Sequence, residues 1–211
     1  MIKSDFVLLI LNCEKYIAKA AHQKNTWLKT LPDTLPYFHV LGNPELQNDF
    51  EFDHENNLLY VKTQDDYISL PHKVISAYEA IYKTYDFKYI LKTDDDQTLI
   101  HNQFFQQLTQ LLLSDRAPHY GGKLLSINTH ISTYYTIHPE LPKNIVMHAT
   151  TYSNGRFYFL SYAAVTSLFP NKTNIAKEYF EDYAIGYYLE PTYKTNALFI
   201  DSDKIFRDSS S

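Results

Sequence analysis

Phe87-Lys88-Tyr89-Ile90-Leu91-Lys92-Thr93-Asp94-Asp95-Asp96-Gln97-Thr98 carries a short apolar run into three consecutive carboxylates. The run has strand length, and the carboxylates fall where such a strand would end. Adjacent Asp side chains repel one another, so the triplet calls for something bound there. A hard divalent cation, Mn2+ or Mg2+, is one answer, because it takes oxygen ligands and fills its remaining positions with water and substrate phosphates. A solvated acidic turn is the other, since Asp is at home in turns.

The flanking segments bear on that choice. Upstream, Ser69-Leu70-Pro71 reads as a helix start, and Val74, Ile75, Tyr78, Ile81, Tyr82 and Tyr85 recur at helical spacing. Downstream, Asn102 is a candidate cap for a helix with the apolar face Phe104, Phe105, Leu108, Leu111 and Leu112. The triplet therefore lies between strand and helix, at the crevice edge of an α/β sheet, where ligands collect. Asp5 to Leu11 is a second continuous apolar run, and Asn12, Cys13 and Glu14 follow where such a strand would open into a ligand crevice.

A helix is expected from about Lys15 through Leu28, ended by Pro32 and Pro36, and Tyr37 to Leu41 and Leu58 to Val61 read as further strands. Beyond Pro118 the pattern shortens, with strands expected at Tyr120 to Leu125, Ile131 to Ile137, Ile145 to Met147, Phe157 to Ser161 and Leu198 to Ile200. Helices are expected over Ala163 to Leu168 and from about Glu178 to Leu189. The fold class is α/β: a central mixed, mostly parallel sheet flanked by helices, with a smaller β region in the second half. One domain spans residues 1–207, with halves at 1–100 and 101–207, and residues 208–211 read as a linker-like tail with further domains beyond it.

Composition narrows the function. With 211 residues, 45% of them apolar, the chain supports one substantial core. A net charge of -5 without a Lys/Arg block leaves no footprint for nucleic acid. Five glycines against 19 Tyr and 13 Phe argue against a Gly-rich nucleotide loop and for aromatic walls. The single Cys13 rules out an internal disulfide. The apolar run Phe6 to Leu11 is too short to span a bilayer, so no membrane anchor and a cytoplasmic location are expected.

No Gly-x-Gly-x-x-Gly, P-loop, Gly-x-Ser-x-Gly or His-Glu-x-x-His is present. Carboxylate chemistry remains. Glu181-Asp182 forms a second acidic pair in the first half of a helix, either a favourable first turn or a source of the general base that a metal-binding triplet would need elsewhere. Asp94-x-Asp96-x-Thr98 also fits the nucleophile motif of haloacid-dehalogenase-type phosphatases, although at least three expected strands precede it. A non-catalytic carbohydrate-binding module built on the tyrosines is a third reading.

Six segments in order, Lys24-x-Thr26-Trp27, Val40-Leu41-Gly42, Asp66-Tyr67-x-x-Leu70-x-x-Lys73, Tyr89 to Asp96, Tyr152-Ser153-x-Gly155 to Leu160-Ser161 and Glu181-Asp182-x-x-x-Gly186, resemble the successive motifs of the β-1,3-galactosyltransferase and fringe-type glycosyltransferases. The resemblance spans roughly residues 5 to 190. It implies a GT-A fold and inverting transfer of a sugar from a nucleoside diphosphate donor, a UDP-sugar, to a hydroxyl of a glycan or glycoprotein. By the same resemblance Asp96 is the principal ligand of Mn2+ or Mg2+, with Asp94 supporting it. Asp94 and Asp95 serve the ribose or the metal's water, and Asn12, Asp66 and Lys73 line the nucleoside pocket with Leu11 and Cys13. Tyr152, Ser153, Asn154, Gly155 and Arg156 meet the donor sugar or acceptor, Asp182 is the general base, and Glu181 orients substrate hydroxyls.

Cellular members of that family are Golgi-anchored and usually disulfide-bonded, whereas no anchor and, with a single Cys, no internal disulfide are expected here. Some also give a late His to the metal. No His follows His148 here, and Asp201 or Asp203 is the expected substitute. A compact form without an anchor is also similar to the N-terminal glycosyltransferase domain of chlorella-virus capsid-glycosylating enzymes, implying a viral capsid glycan as the acceptor.

Overall fold

The computed structural model describes residues 1–209. Eight strands form the main sheet: β1 (Phe6–Leu11), β2 (Tyr37–Gly42), β3 (Phe50–Asp53), β4 (Leu58–Val61), β5 (Tyr89–Asp94), β6 (Tyr120–Ile127), β7 (Thr150–Ser161) and β8 (Leu198–Phe199). Their spatial order is β8-β6-β7-β5-β1-β2-β4-β3. The run β5-β1-β2-β4 is parallel, as is β8 with β6, while β7 runs antiparallel to both its neighbours and β3 antiparallel to β4. The longer helices are α1 (Ile17–Asn25), α2 (Leu70–Thr84), α3 (Phe104–Leu112), α4 (Tyr162–Leu168) and α5 (Glu181–Tyr188).

β1 is buried along its whole length because both faces of the sheet are covered. Its period of two splits the core. Val7, Leu9 and Leu11 join Val74, Ile75, Tyr78 and Ile81 of α2 on one face, while Phe6, Leu8 and Ile10 join Trp27 and Phe105 on the other. The mixed, mostly parallel sheet is the one the sequence predicts.

Local departures have physical causes. The helix expected through Leu28 ends at Asn25, where Thr26 turns out of helical geometry (φ -115°, ψ -110°) and its hydroxyl donates to His22 O at 2.8 Å, a local bond that competes with helix continuation. Of Ile131 to Ile137, only Ile131 pairs, in a two-stranded ribbon of His130–Ile131 with Val146–Met147, and Tyr134–Thr136 is a tight helical turn. Asn102 does not cap α3, as Gln103 holds that position without a side-chain bond. The strand expected at Phe157 starts at Thr150, because an irregularity between Ser153 and Tyr158 lets one strand pair continuously with β6. Gly122 makes this possible: it sits at φ 153°, and a Cβ there would stand 2.0 Å from Ser153 Oγ. Asp208, expected in a loose tail, belongs to a strand Phe206–Asp208 paired with Gln97–Leu99; Ser210 and Ser211 lie outside the described residues. No described helix is long and apolar enough to cross a membrane.

His39 in β2 is fully buried, and neither ring nitrogen has a partner among the described residues. Burial, reinforced by Lys24, pushes its pKa down to about 3. The unfolded chain takes up a proton near pH 6.5 that the folded state refuses, so this residue costs nothing above that pH and about 1.4 kcal/mol per pH unit below it. His39→Leu should remove that slope. Between pH 7 and pH 5, urea unfolding should show the variant gaining about 2 kcal/mol on the wild type.

Candidate active site

β1 and β5 are parallel neighbours in register, Leu11 opposite Asp94, so Asn12, Cys13 and Asp94 to Asp96 leave the sheet together at its C-terminal edge. Their turn is held from several sides. Asp95 N donates to Leu11 O at 3.1 Å, Gln23 Nε2 donates to Asp94 O at 3.1 Å, and Trp27 Nε1 donates to Gln97 O at 3.0 Å. β7 crosses antiparallel to β5, with Phe157 opposite Thr93, and brings Asn154, Gly155 and Arg156 beside the triplet. Gly186 lets α5 lie against β7, since a Cβ there would stand 2.2 Å from Tyr152 Cβ. The first turn of α5 then presents Glu181 and Asp182 to the same space.

The result is one cleft of about 770 Å³. It is lined by Leu11, Asn12, Cys13, Asp66, Lys73, Asp94, Asp95, Asp96, Tyr152, Asn154, Gly155, Arg156, Glu181 and Asp182. Among the expected residues Glu14, which is exposed, does not line it, and neither does Ser153. Strand alternation turns it inward, where it is fully buried and Tyr120 OH accepts from its backbone N–H at 2.6 Å. The ribbon segment between β6 and β7 supplies the opposite rim with Tyr134 and His138, the latter stacked on Tyr67 at 4.0 Å between ring centres.

Lys92 is the centre of the site's electrostatics and is only 1% exposed. Its ammonium contacts Asp94 Oδ1 at 2.7 Å and Glu181 Oε2 at 3.0 Å, and donates to Gly155 O at 2.7 Å. Burial alone would depress it, but attraction to Asp94 and Glu181 outweighs that and holds its pKa above the ordinary value. Burial raises the Asp94 carboxyl to about 6 against the pull of Lys92. Asp95 is likewise raised by burial to about 6, against an ion pair with Lys19 at 3.3 Å. Burial also raises Glu181, whose other oxygen accepts from Tyr158 OH, itself bonded to Tyr78 OH at 2.8 Å. Asp182 accepts from Gly155 N at 2.9 Å and Tyr183 N at 2.7 Å, and burial raises its pKa with Lys92 opposing.

Beside Asn12, Lys73 is buried and donates to Asn12 O at 2.8 Å and to Asp65. Asp65 also accepts from Gly42 N at 2.7 Å and Glu14 N at 2.6 Å. Asp66, the residue singled out from the sequence, lines the cleft but spends Oδ1 on Ser69 N at 2.8 Å, in front of α2. Asp65 and Lys92 are thus site residues that sequence reasoning missed. For Lys92 a signal existed: a lone cation in an apolar strand two residues before Asp94 shares its face.

Among the described residues, no three His, Cys, Asp or Glu side chains converge as a metal cage. The donor set nonetheless fits a cation of the Mn2+ or Mg2+ type, which takes one or two carboxylates from the protein and the rest from water and phosphate. Asp96 and Asp94 face the same cleft. Asp201 and Asp203 do not supplement them: Asp203 pairs with Lys123 and with Arg156 at 3.2 Å, Asp201 pairs with Lys204 at 3.2 Å, and neither lines the cleft.

Comparison with known proteins gives a family. Residues 23–194 match galactosyltransferase. No curated protein matches significantly. Among solved structures, a glycosyltransferase involved in glycosylation of the major capsid of PBCV-1 is similar at 13% identity and a TM-score of 0.49, over 93% of this chain and 82% of that one. The galactosyltransferase LgtC, in complex with donor and acceptor sugar analogues, is similar at 10% identity and 0.45, over 93% and 73%. The mannosyltransferase Ktr4p from S. cerevisiae follows at 11% and 0.48, over 88% and 65%. The family match covers β2 to α5, including the strand that carries the acidic triplet and the helix that carries Glu181 and Asp182, and the α/β architecture is of the GT-A type the motifs imply. This chain belongs to the galactosyltransferase family of glycosyltransferases.

Proposed function

We propose that the protein transfers a sugar from a nucleoside diphosphate donor, UDP-linked, to a hydroxyl of a glycan or glycoprotein, with inversion at the anomeric carbon. The observation that carries this reading is that the acidic triplet and Asp182, far apart in sequence, line one cleft from different walls. Such an arrangement divides the labour between leaving group and proton.

A divalent cation held by Asp96 with Asp94 would neutralise the charge developing on the departing diphosphate as a Lewis acid. Asn12, Cys13, Asp66 and Lys73 border the part of the cleft assigned to the nucleoside, and Tyr152, Asn154, Gly155 and Arg156 the part assigned to the sugars. Asp182 takes the proton from the acceptor hydroxyl as its oxygen attacks the anomeric carbon opposite the diphosphate. The new carbon–oxygen bond forms as the bond to phosphate breaks, with its electron pair leaving on the diphosphate. Gly155 N and Tyr183 N fix the Asp182 carboxylate while leaving lone pairs free to accept that proton. Glu181, tied to Lys92 and Tyr158, orients hydroxyls from beside it.

Neither alternative class gains an observation of its own. Asp94, the nucleophile of the phosphatase reading, is ion-paired to Lys92, and membership of a transferase family stands against a non-catalytic module. Calorimetry of UDP binding in Mn2+ tests the donor side: Asp96→Ala should weaken it by about tenfold or more, the order expected for losing a charged contact, and equal affinities would contradict the assignment.

A further inference from the structure

The family match ends at residue 194, yet the chain beyond it reaches back to the cleft. The strand Phe206–Asp208 pairs antiparallel with Gln97–Leu99, placing Asp208 opposite Gln97. Ser209 N donates to Asp96 O at 2.6 Å. Gln97 Nε2 donates both to Asp96 Oδ1 at 2.7 Å and to Asp208 Oδ1 at 3.1 Å. Arg156 Nη2 donates to that same Asp208 oxygen at 2.7 Å, and its Nη1 donates to Asp203 Oδ1 at 3.2 Å. A carboxylate oxygen has two lone pairs, so a single Asp208 oxygen serves both donors. The other end of the Gln97 amide, Oε1, is buried without a partner among the described residues. The amide is therefore oriented by its NH2 contacts alone.

We infer that Asp208 is a positioning residue for the donor side of the cleft, holding Asp96 through Gln97 and Arg156 directly. The inference rests on the glycosyl-transfer reading above. Asp208 is 69% exposed, so its pair with Arg156 is screened by solvent and adds little to global stability. Its effect is directional. Asp96 and Arg156, one anion and one cation, both line the cleft, and a charged ligand met by groups already held in place loses less freedom on binding. Without Asp208, the Gln97 NH2 keeps one of its two acceptors and Arg156 one of its two carboxylates, so both can turn.

The test uses the full chain with Asp208→Ala and, as a control on the same strand, Arg207→Ala, at a residue that does not line the cleft. Three quantities are read: UDP affinity in Mn2+, Tm, and amide hydrogen exchange in peptides covering residues 95–98 and 154–157. Asp208→Ala should weaken UDP about tenfold, keep Tm within about 2 °C, and speed exchange in both peptides. Arg207→Ala should change none of these. Unchanged affinity together with unchanged exchange overturns the inference, and so does weakened binding that comes with faster exchange across the whole protein. A wild type that binds no nucleoside diphosphate refutes the functional reading instead, and the two-peptide exchange pattern then still decides whether Asp208 orders Asp96 and Arg156.

Discussion

Asp182→Asn is expected to lower transfer by about 10²–10⁴-fold, the range for loss of an acid–base group, while UDP binding in Mn2+ stays within about twofold. The asparagine has nearly the same shape, and its one oxygen can still accept from Gly155 N, which Asp182 Oδ2 does at 2.9 Å. It has no carboxylate to take the acceptor proton. Because the group is needed only as that proton leaves, kcat and kcat/KM should fall together. The wild-type pH profile carries the same information. Burial raises the Asp182 carboxyl above its ordinary value, the base works only when deprotonated, and transfer should therefore decline as pH falls through that raised value. Single-turnover rates with saturating donor check both points, and survival of more than about a hundredth of the rate in Asp182→Asn would reassign the base.

Lys92→Met should be the most destabilising single change in the cleft. Methionine matches the length of the lysine stem but leaves Glu181, 7% exposed, without its cation. Breaking a buried pair from one side costs about 3–5 kcal/mol, because the remaining charge stays desolvated. The deficit has a pH signature. Burial already holds the Glu181 pKa up, with Lys92 pulling it down, so losing Lys92 raises it further. A carboxyl raised on folding is best accommodated at low pH and loses stability as pH rises through its folded value. The deficit should thus be largest at neutral and higher pH and shrink in acid, as measured by urea midpoints across that range. A uniform deficit at every pH would mean that packing, not charge, is lost. Gly155 O would lose its 2.7 Å bond as well, so activity should fall with stability.

Much of this site is legible in the chain itself, for a physical reason that differs by residue. Asp94 to Asp96 and Glu181-Asp182 stand out because clustered carboxylates at element boundaries are costly unless used. β1 and β5 stand out because unbroken apolar runs of strand length belong in a doubly covered sheet. Lys92 and Asp65 are harder to read, since what defines them is a partner distant in space: Glu181 for one, and Gly42 N and Lys73 for the other. The inward turn of Ser153 is not legible because a run of polar and small residues hides strand alternation, and only the pairing of β7 with β6 shows which side each residue takes. The edge pairing of Phe206–Asp208 with Gln97–Leu99 is likewise invisible locally, as each strand has three residues.

The stereochemistry of donor cleavage tests the central claim most directly, and water can stand in for the acceptor. Purified protein with Mn2+ is given UDP-α-galactose, UDP-α-glucose or UDP-α-N-acetylglucosamine, and the first-formed free sugar is followed by proton NMR before mutarotation. The account predicts UDP release from at least one donor with the β anomer appearing first, and loss of that signal in Asp182→Asn. Release of the α anomer first, or no UDP release from any of the three, would contradict it.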